Sequence, residues 1–105
     1  MIAHGINLNS DAICDFCRKW KIREMSVFGS VLRGDFRPDS DIDFLFSLEP
    51  GVDLTMDSWL AMEEDLRGLV GREVDLVPRR DVERSPNYIR RKHILKTAEP
   101  LYESR

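Results

Sequence analysis

From Asp11 onward the apolar positions fall at helical spacing, with Ile13, Phe16, Cys17 and Trp20 at i, i+3, i+4 and i+7. That is one amphipathic stripe, and Ser10 or Asp11 stands where a helix N-cap belongs. The period then shortens. "EMSVF" (24–28) reads as a strand ending at Gly29, and Ser30 to Arg33 as a brief helix closed by Gly34 in a left-handed cap. "RPDS" (37–40) is turn chemistry, with Pro38 fixing φ and Asp39 or Ser40 bonding the local backbone. "DIDFLFSL" (41–48) is a second strand, apolar on both faces beyond Asp43, which predicts cover on both faces. After the loop "EPGVD" (49–53), a helix from about Asp57 to Val70 presents Trp59, Met62, Leu66, Leu69 and Val70 to a core. Its Glu63, Glu64, Asp65 and Arg67 are mostly solvated, and Gly71 ends it. "REVDLVP" (72–78) is a third strand, Ser85-Pro86 opens a last helix over about 86–97, and "PLYES" docks back against the body. The order α-β-α-β-α-β-α, without repeats or linkers, predicts an α+β fold with a small mixed sheet backed by helices.

At 105 residues the chain is expected to form a single domain, residues 1–105, with one modest core. No apolar run reaches membrane-spanning length, so no membrane partner is expected. The opening "MIAHGINLNSD" lacks the basic flank and continuous apolar stretch of a signal peptide, which points to a cytoplasmic location. The net charge of −3 hides an asymmetry: residues 1–78 carry −7, whereas residues 79–96 carry +5. The acidic body disfavours direct nucleic-acid binding. The basic segment is either a solvated helix face or a surface for phosphate or an acidic partner. Cys14 and Cys17 form a C-x-x-C, but inside a helical pattern and without a second pair or histidines at ligand spacing. They read as structural thiols of a reducing compartment.

Asp41 and Asp43 bring candidate chemistry. At i and i+2 in a strand, their side chains leave the same face of the pleat. They repel each other at the mouth of an apolar segment, so a positive charge is expected beside them. Asp75 lies mid-strand between Val74 and Leu76. If the third strand lies beside the second, Asp75 joins the pair, and three carboxylates make a hard-oxygen site suited to Mg²⁺ with substrate phosphates in its shell. Two such ions about 3.5–4 Å apart clamp the attacking and leaving oxygens of a phosphoryl displacement. Gly29 allows close backbone approach and Ser30 adds a hydroxyl at a helix start, together an anion site for triphosphate oxygens. Blander readings compete. Asp39, Asp41 and Asp43 mimic half a calcium loop, but Phe44 stands where Gly is needed and Pro50 where Glu is needed. The tripeptide "RGD" (33–35) has no secretion context. Asp41 and Asp43 could merely cap a turn, and Asp75 could pair with Arg72 or Arg79. The joint spacing G-S-x₁₀-D-x-D lowers these alternatives, since it arises by chance in on the order of one chain per thousand of this length.

"GSVLRGDFRPDSDID" with the downstream "REVDLV" resembles the minimal nucleotidyltransferases of the DNA polymerase β superfamily, and the likeness runs from roughly Asp11 to Glu103. "EPG", "GREVDLV" and the closing "ILKTAEPLYE" belong to it. The resemblance implies a polymerase β-type fold with Asp41, Asp43 and Asp75 as metal ligands, Asp75 also helping to deprotonate the acceptor hydroxyl. It implies nucleotide binding by Gly29 and Ser30, with Arg33 and Ser40 beside them, ATP as substrate and two Mg²⁺ ions. Arg33, and a basic residue at the place of Arg72, would touch phosphate or neutralise the acidic cluster. Members of this branch are often antitoxins paired with a helical HEPN-type toxin, and the implied activity is transfer of AMP from ATP to a tyrosine of that toxin. A chain this short has no second domain to grip a small acceptor, which independently favours a folded protein partner, in a homodimer or hetero-oligomer. Two alternatives stand beside this: a non-catalytic antitoxin that occludes its toxin, and a small-molecule nucleotidyltransferase of the antibiotic-modifying kind.

Overall fold

The structure, a computed structural model, describes residues 2–3, 6–8, 11–34, 37 and 39–104. In chain order the elements are β1 (Ile2–Ala3), β2 (Ile6–Asn7), α1 (Asp11–Lys19), β3 (Ile22–Phe28), a 3₁₀ turn (Gly29–Leu32), β4 (Ile42–Leu48), α2 (Met56–Val70), β5 (Val74–Pro78), α3 (Arg79–Glu83), α4 (Tyr88–Thr97) and β6 (Glu99–Glu103). β1 and β2 form a small antiparallel pair, and the main sheet has the order β5-β4-β3-β6. β3 runs antiparallel to β4 and β6, whereas β4 and β5 are parallel. The sheet is therefore mixed, as the sequence predicts.

The continuous apolar run of β4 has the expected consequence. Ile42, Phe44 and Phe46 join Met25 and Val27 of β3 in a large core under α1 and α2, completed by Ile13, Phe16, Cys17, Met62 and Leu66. Leu45, one residue out of phase, packs with Phe28, Val82 and Ile94 beneath α3 and α4 on the opposite face. Period-two alternation thus serves two cores at once. Among the described residues every buried side chain is apolar. Cys17 is one of them: its thiol packs 4.0 Å from Met25 Sδ, and burial, with the charge of Cys14 beside it, pushes it up to about 12. It serves as packing.

α2 is capped at Thr55, whose hydroxyl accepts from Ser58 N–H while Ser58 Oγ accepts from Thr55 N–H, and it ends at Gly71 with φ 72°. Trp59 Nε1 donates to Leu76 O at 3.0 Å, tying the helix to β5, and Trp20 Nε1 donates to Asp65 at 2.9 Å, joining α1 to α2.

Several expectations need correction. Leu69 is 43% exposed, because it lies at the edge of the α2 stripe in the last turn. Gly34 is not left-handed: the 3₁₀ turn ends at Arg33 in extended conformation, and the left-handed glycine is Gly29, at its start. The cap of α4 is Asn87, whose side chain accepts from Arg90 N–H, so the helix opens two residues after Pro86. The docked terminus is a true fourth strand, β6, and α3 and the β1–β2 pair were not foreseen. Ser10 and Pro38 lie outside the described residues.

Candidate active site

The site is laid out by register. Phe28 of β3 pairs with Asp43 of β4, and Asp43 pairs with Asp75 of β5. One row across the sheet therefore reads Phe28, Asp43, Asp75, all on the face covered by α3 and α4. Asp41 precedes Asp43 by two residues at the mouth of β4, so it serves the same end of the same face. Burial grades across this row: Asp43 is half-buried, while Asp41 and Asp75 are exposed. β5 is an edge strand, so Asp75 is open to an approaching molecule.

The electrostatics follow from that layout. Burial first, then the charges of Asp75 and Asp41, push the Asp43 carboxyl up to about 6, against the opposing pull of Arg33 and Arg90. Burial, and then the Asp75 charge, also raise the Glu63 carboxyl on α2. Among the described residues no three ligating side chains yet form a closed metal cage. Carboxylates without a counter-charge repel, and a shared cation is what would draw them in. The donor set, three hard carboxylates on one face of the sheet, fits a divalent ion such as Mg²⁺.

Gly29 couples this cluster to the neighbouring turn. Its φ is +78°, and a Cβ placed there would collide with Asp43 Oδ2. Only glycine lets the chain leave β3 beneath the Asp43 carboxylate. Ser30 follows in the 3₁₀ turn, which Arg33 N–H closes onto Ser30 O at 3.0 Å. Ser40 acts in the approach to Asp41: its N–H donates to Arg37 O and its hydroxyl accepts from Arg37 N–H, both at 3.0 Å. Arg72 Nη2 donates to Arg37 O at 2.6 Å and Ser40 O at 3.0 Å, so this side chain holds the turn that delivers Asp41. Arg79 pairs with Glu24 at 3.4 Å and Glu83 at 4.0 Å.

A cleft of about 830 Å³ opens beside Gly29 and Asp43. Arg33, Leu32 and Val31 line one side, and Arg90, His93, Ile94 and Thr97 of α4 the other. Sequence reasoning missed the α4 wall, treating Arg90 as part of an undivided basic segment. The signal was available in the positions 90, 93, 94 and 97, which share one helix face.

The profile of the family described as "Nucleotidyltransferase domain" matches residues 11–98. The chain belongs to the nucleotidyltransferase domain family. Its G-S turn, D-x-D strand and third aspartate all lie within the matched segment. The domain is similar to the protein adenylyltransferase MntA of Thermococcus cleftensis, 41% identical over 59 residues that span 56% of this chain and 58% of that protein. The chain spans about three fifths of the length of the curated relatives it matches. A solved structure provisionally assigned as a minimal nucleotidyltransferase shares 35% identity over 87% of each chain, with a TM-score of 0.67. The MNT antitoxin complex with a tri-AMPylated HEPN toxin of Shewanella oneidensis has the same fold, with a TM-score of 0.61 and 21% identity over 92% of this chain and 71% of that one. The fold is that of the polymerase β-type nucleotidyltransferases. No helix among the described residues is long and apolar enough to cross a membrane.

Proposed function

We propose that this nucleotidyltransferase domain transfers AMP from ATP to a tyrosine hydroxyl of a helical HEPN-type toxin and so silences it as an antitoxin. The observation that carries the reading is the row Phe28, Asp43, Asp75, with Asp43 lying over Gly29. It sets the carboxylates against the turn that would take the phosphates. The similarity to an adenylyltransferase and to an antitoxin bound to an AMPylated toxin supports the choice of AMP and of a protein acceptor. Two free thiols suit a chain that works in the cytoplasm.

Asp41, Asp43 and Asp75 would hold the Mg²⁺ ions, which supply charge neutralisation at the phosphate oxygens. Gly29 and Ser30, with Arg33 and Ser40 at the margin, orient the triphosphate through backbone and hydroxyl contacts. The acceptor oxygen attacks the α-phosphorus, the bond from that phosphorus to the bridging oxygen breaks, and pyrophosphate leaves. Asp75 takes the acceptor proton, a role its exposure at the sheet edge suits. The test is label transfer from α-labelled ATP to a HEPN-type toxin with Mg²⁺ present. Label on a toxin tyrosine is expected, and its loss in Asp41→Asn/Asp43→Asn. Transfer that survives both substitutions would reject the assignment.

A second reading, neutralisation by occlusion, draws on Tyr88 and Ile89, 60% and 80% exposed at the start of α4. It requires the doubly substituted protein still to neutralise the toxin.

A further inference from the structure

We infer that α4 is the second wall of the nucleotide site, and that Arg90 binds the phosphoanhydride oxygens of the triphosphate from the side opposite Gly29. The inference deepens the proposed function and rests on it. Four observations carry it. The cleft that reaches Gly29 and Asp43 is lined across from them by Arg90, His93 and Thr97. A smaller cavity behind it shares Phe28, Arg90 and Ile94, so Arg90 stands at the junction of the two spaces.

The neighbouring cations are already employed. Arg91 Nη1 donates to Ser85 O at 3.0 Å and its guanidinium lies 5.3 Å from the Tyr88 ring, which Lys92 also approaches, at 6.0 Å. These two pin the start of α4 and its outer surface. The Arg90 backbone N–H donates to Asn87 Oδ1, while its guanidinium takes part in none of the hydrogen bonds or ion pairs among the described residues. Arg90 and Asp43 line the same cleft, so the guanidinium and that carboxylate share one open space.

The chemistry then selects the ligand. A cation sharing an open cleft with the Asp43 carboxylate is matched by a polyanion that carries divalent ions on its other side, and guanidinium meets phosphate oxygens in bidentate fashion. A nucleoside triphosphate is such a molecule. AMP lacks the phosphoanhydride oxygens that Arg90 is assigned to bind. Apolar cleft residues Phe28, Val31, Leu32 and Ile94 offer a surface for the nucleoside portion.

Calorimetry with the full chain, Mg²⁺ and a non-hydrolysable ATP analogue tests this, with AMP as the comparison ligand. Arg90→Ala is expected to weaken analogue binding about tenfold or more while changing AMP binding less than about threefold. Arg90→Lys should recover part of the loss. Lys92→Ala, the same charge one helical step outward, should bind the analogue as the unaltered chain does. Arg90 is exposed, so its removal leaves the core intact, and the thermal midpoint checks this directly. Analogue binding by Arg90→Ala equal to that of the unaltered chain would overturn the inference, as would an equal loss in Lys92→Ala. Absence of any analogue binding by the unaltered chain would instead overturn the proposed function itself.

Discussion

Asp43 is held in a position that the folded chain would stabilise better with a neutral group. Its carboxyl is raised from 3.8 to about 6 by burial and by Asp75 and Asp41. The folded state therefore binds this proton more tightly than the unfolded chain. The resulting stability is present in full below 3.8 and is lost as pH rises through 6, so at neutral pH the charged side chain destabilises the fold. After allowance for solvent screening of a half-buried group, the penalty is about 1–2 kcal/mol. Asp43→Asn should raise the thermal midpoint at pH 7 by about 4–8 °C per kcal/mol recovered and lose that advantage near pH 3.5. An unchanged midpoint at pH 7 would show that the carboxylate is not strained. Gly29→Ala tests the same contact from the other side. The left-handed φ alone costs about 1–2 kcal/mol, and the new methyl group also displaces the Asp43 carboxylate. A lower urea midpoint together with loss of label transfer is the expected pair of results.

β4 shows how much of the architecture the sequence carried. Its apolar run predicted cover on both faces, and the two cores on either side of it follow from the alternation of Phe44 and Leu45. The amphipathic stripe of α1 and the glycine end of α2 were legible for the same reason: burial follows spacing. β6 was harder, because Pro100 argues against a strand interior. It is accommodated because β6 is an edge strand. α3, at 5 residues, is too short to show a period. At the site, spacing placed Asp41 beside Asp43, but only the parallel pairing of β4 with β5 settles which way Asp75 faces. Arg72 was legible as basic and near the cluster, yet its bonds to Arg37 O and Ser40 O depend on a loop fold that no local pattern encodes. Arg72→Ala removes two charge-assisted hydrogen bonds and should cost about 1–3 kcal/mol. It should also slow label transfer by about tenfold or more through misplacement of Asp41. Slower transfer without loss of nucleotide affinity would mark Arg72 as a positioning residue, whereas an unaltered rate would remove it from the site.

The fold divides its charge in a way that suits the proposed reaction. Asp41, Asp43 and Asp75 sit at one end of the sheet, and the basic stretch from Arg79 to Lys96 packs over the same face as α3 and α4. Asp75 is exposed on an edge strand, where a folded acceptor has access that a closed pocket would deny. Each carboxylate alone has an ordinary structural explanation; the row across three strands, joined to the Gly29 turn, is the basis of the proposed shared ligand. Diffraction from crystals grown with Mn²⁺ and a non-hydrolysable ATP analogue, recorded where manganese scatters anomalously, tests that proposal directly. Anomalous peaks bounded by Asp41, Asp43 and Asp75, with the triphosphate against Gly29 and Ser30, are the predicted result. Manganese bound elsewhere, or a triphosphate seated away from the Gly29 turn, would contradict it.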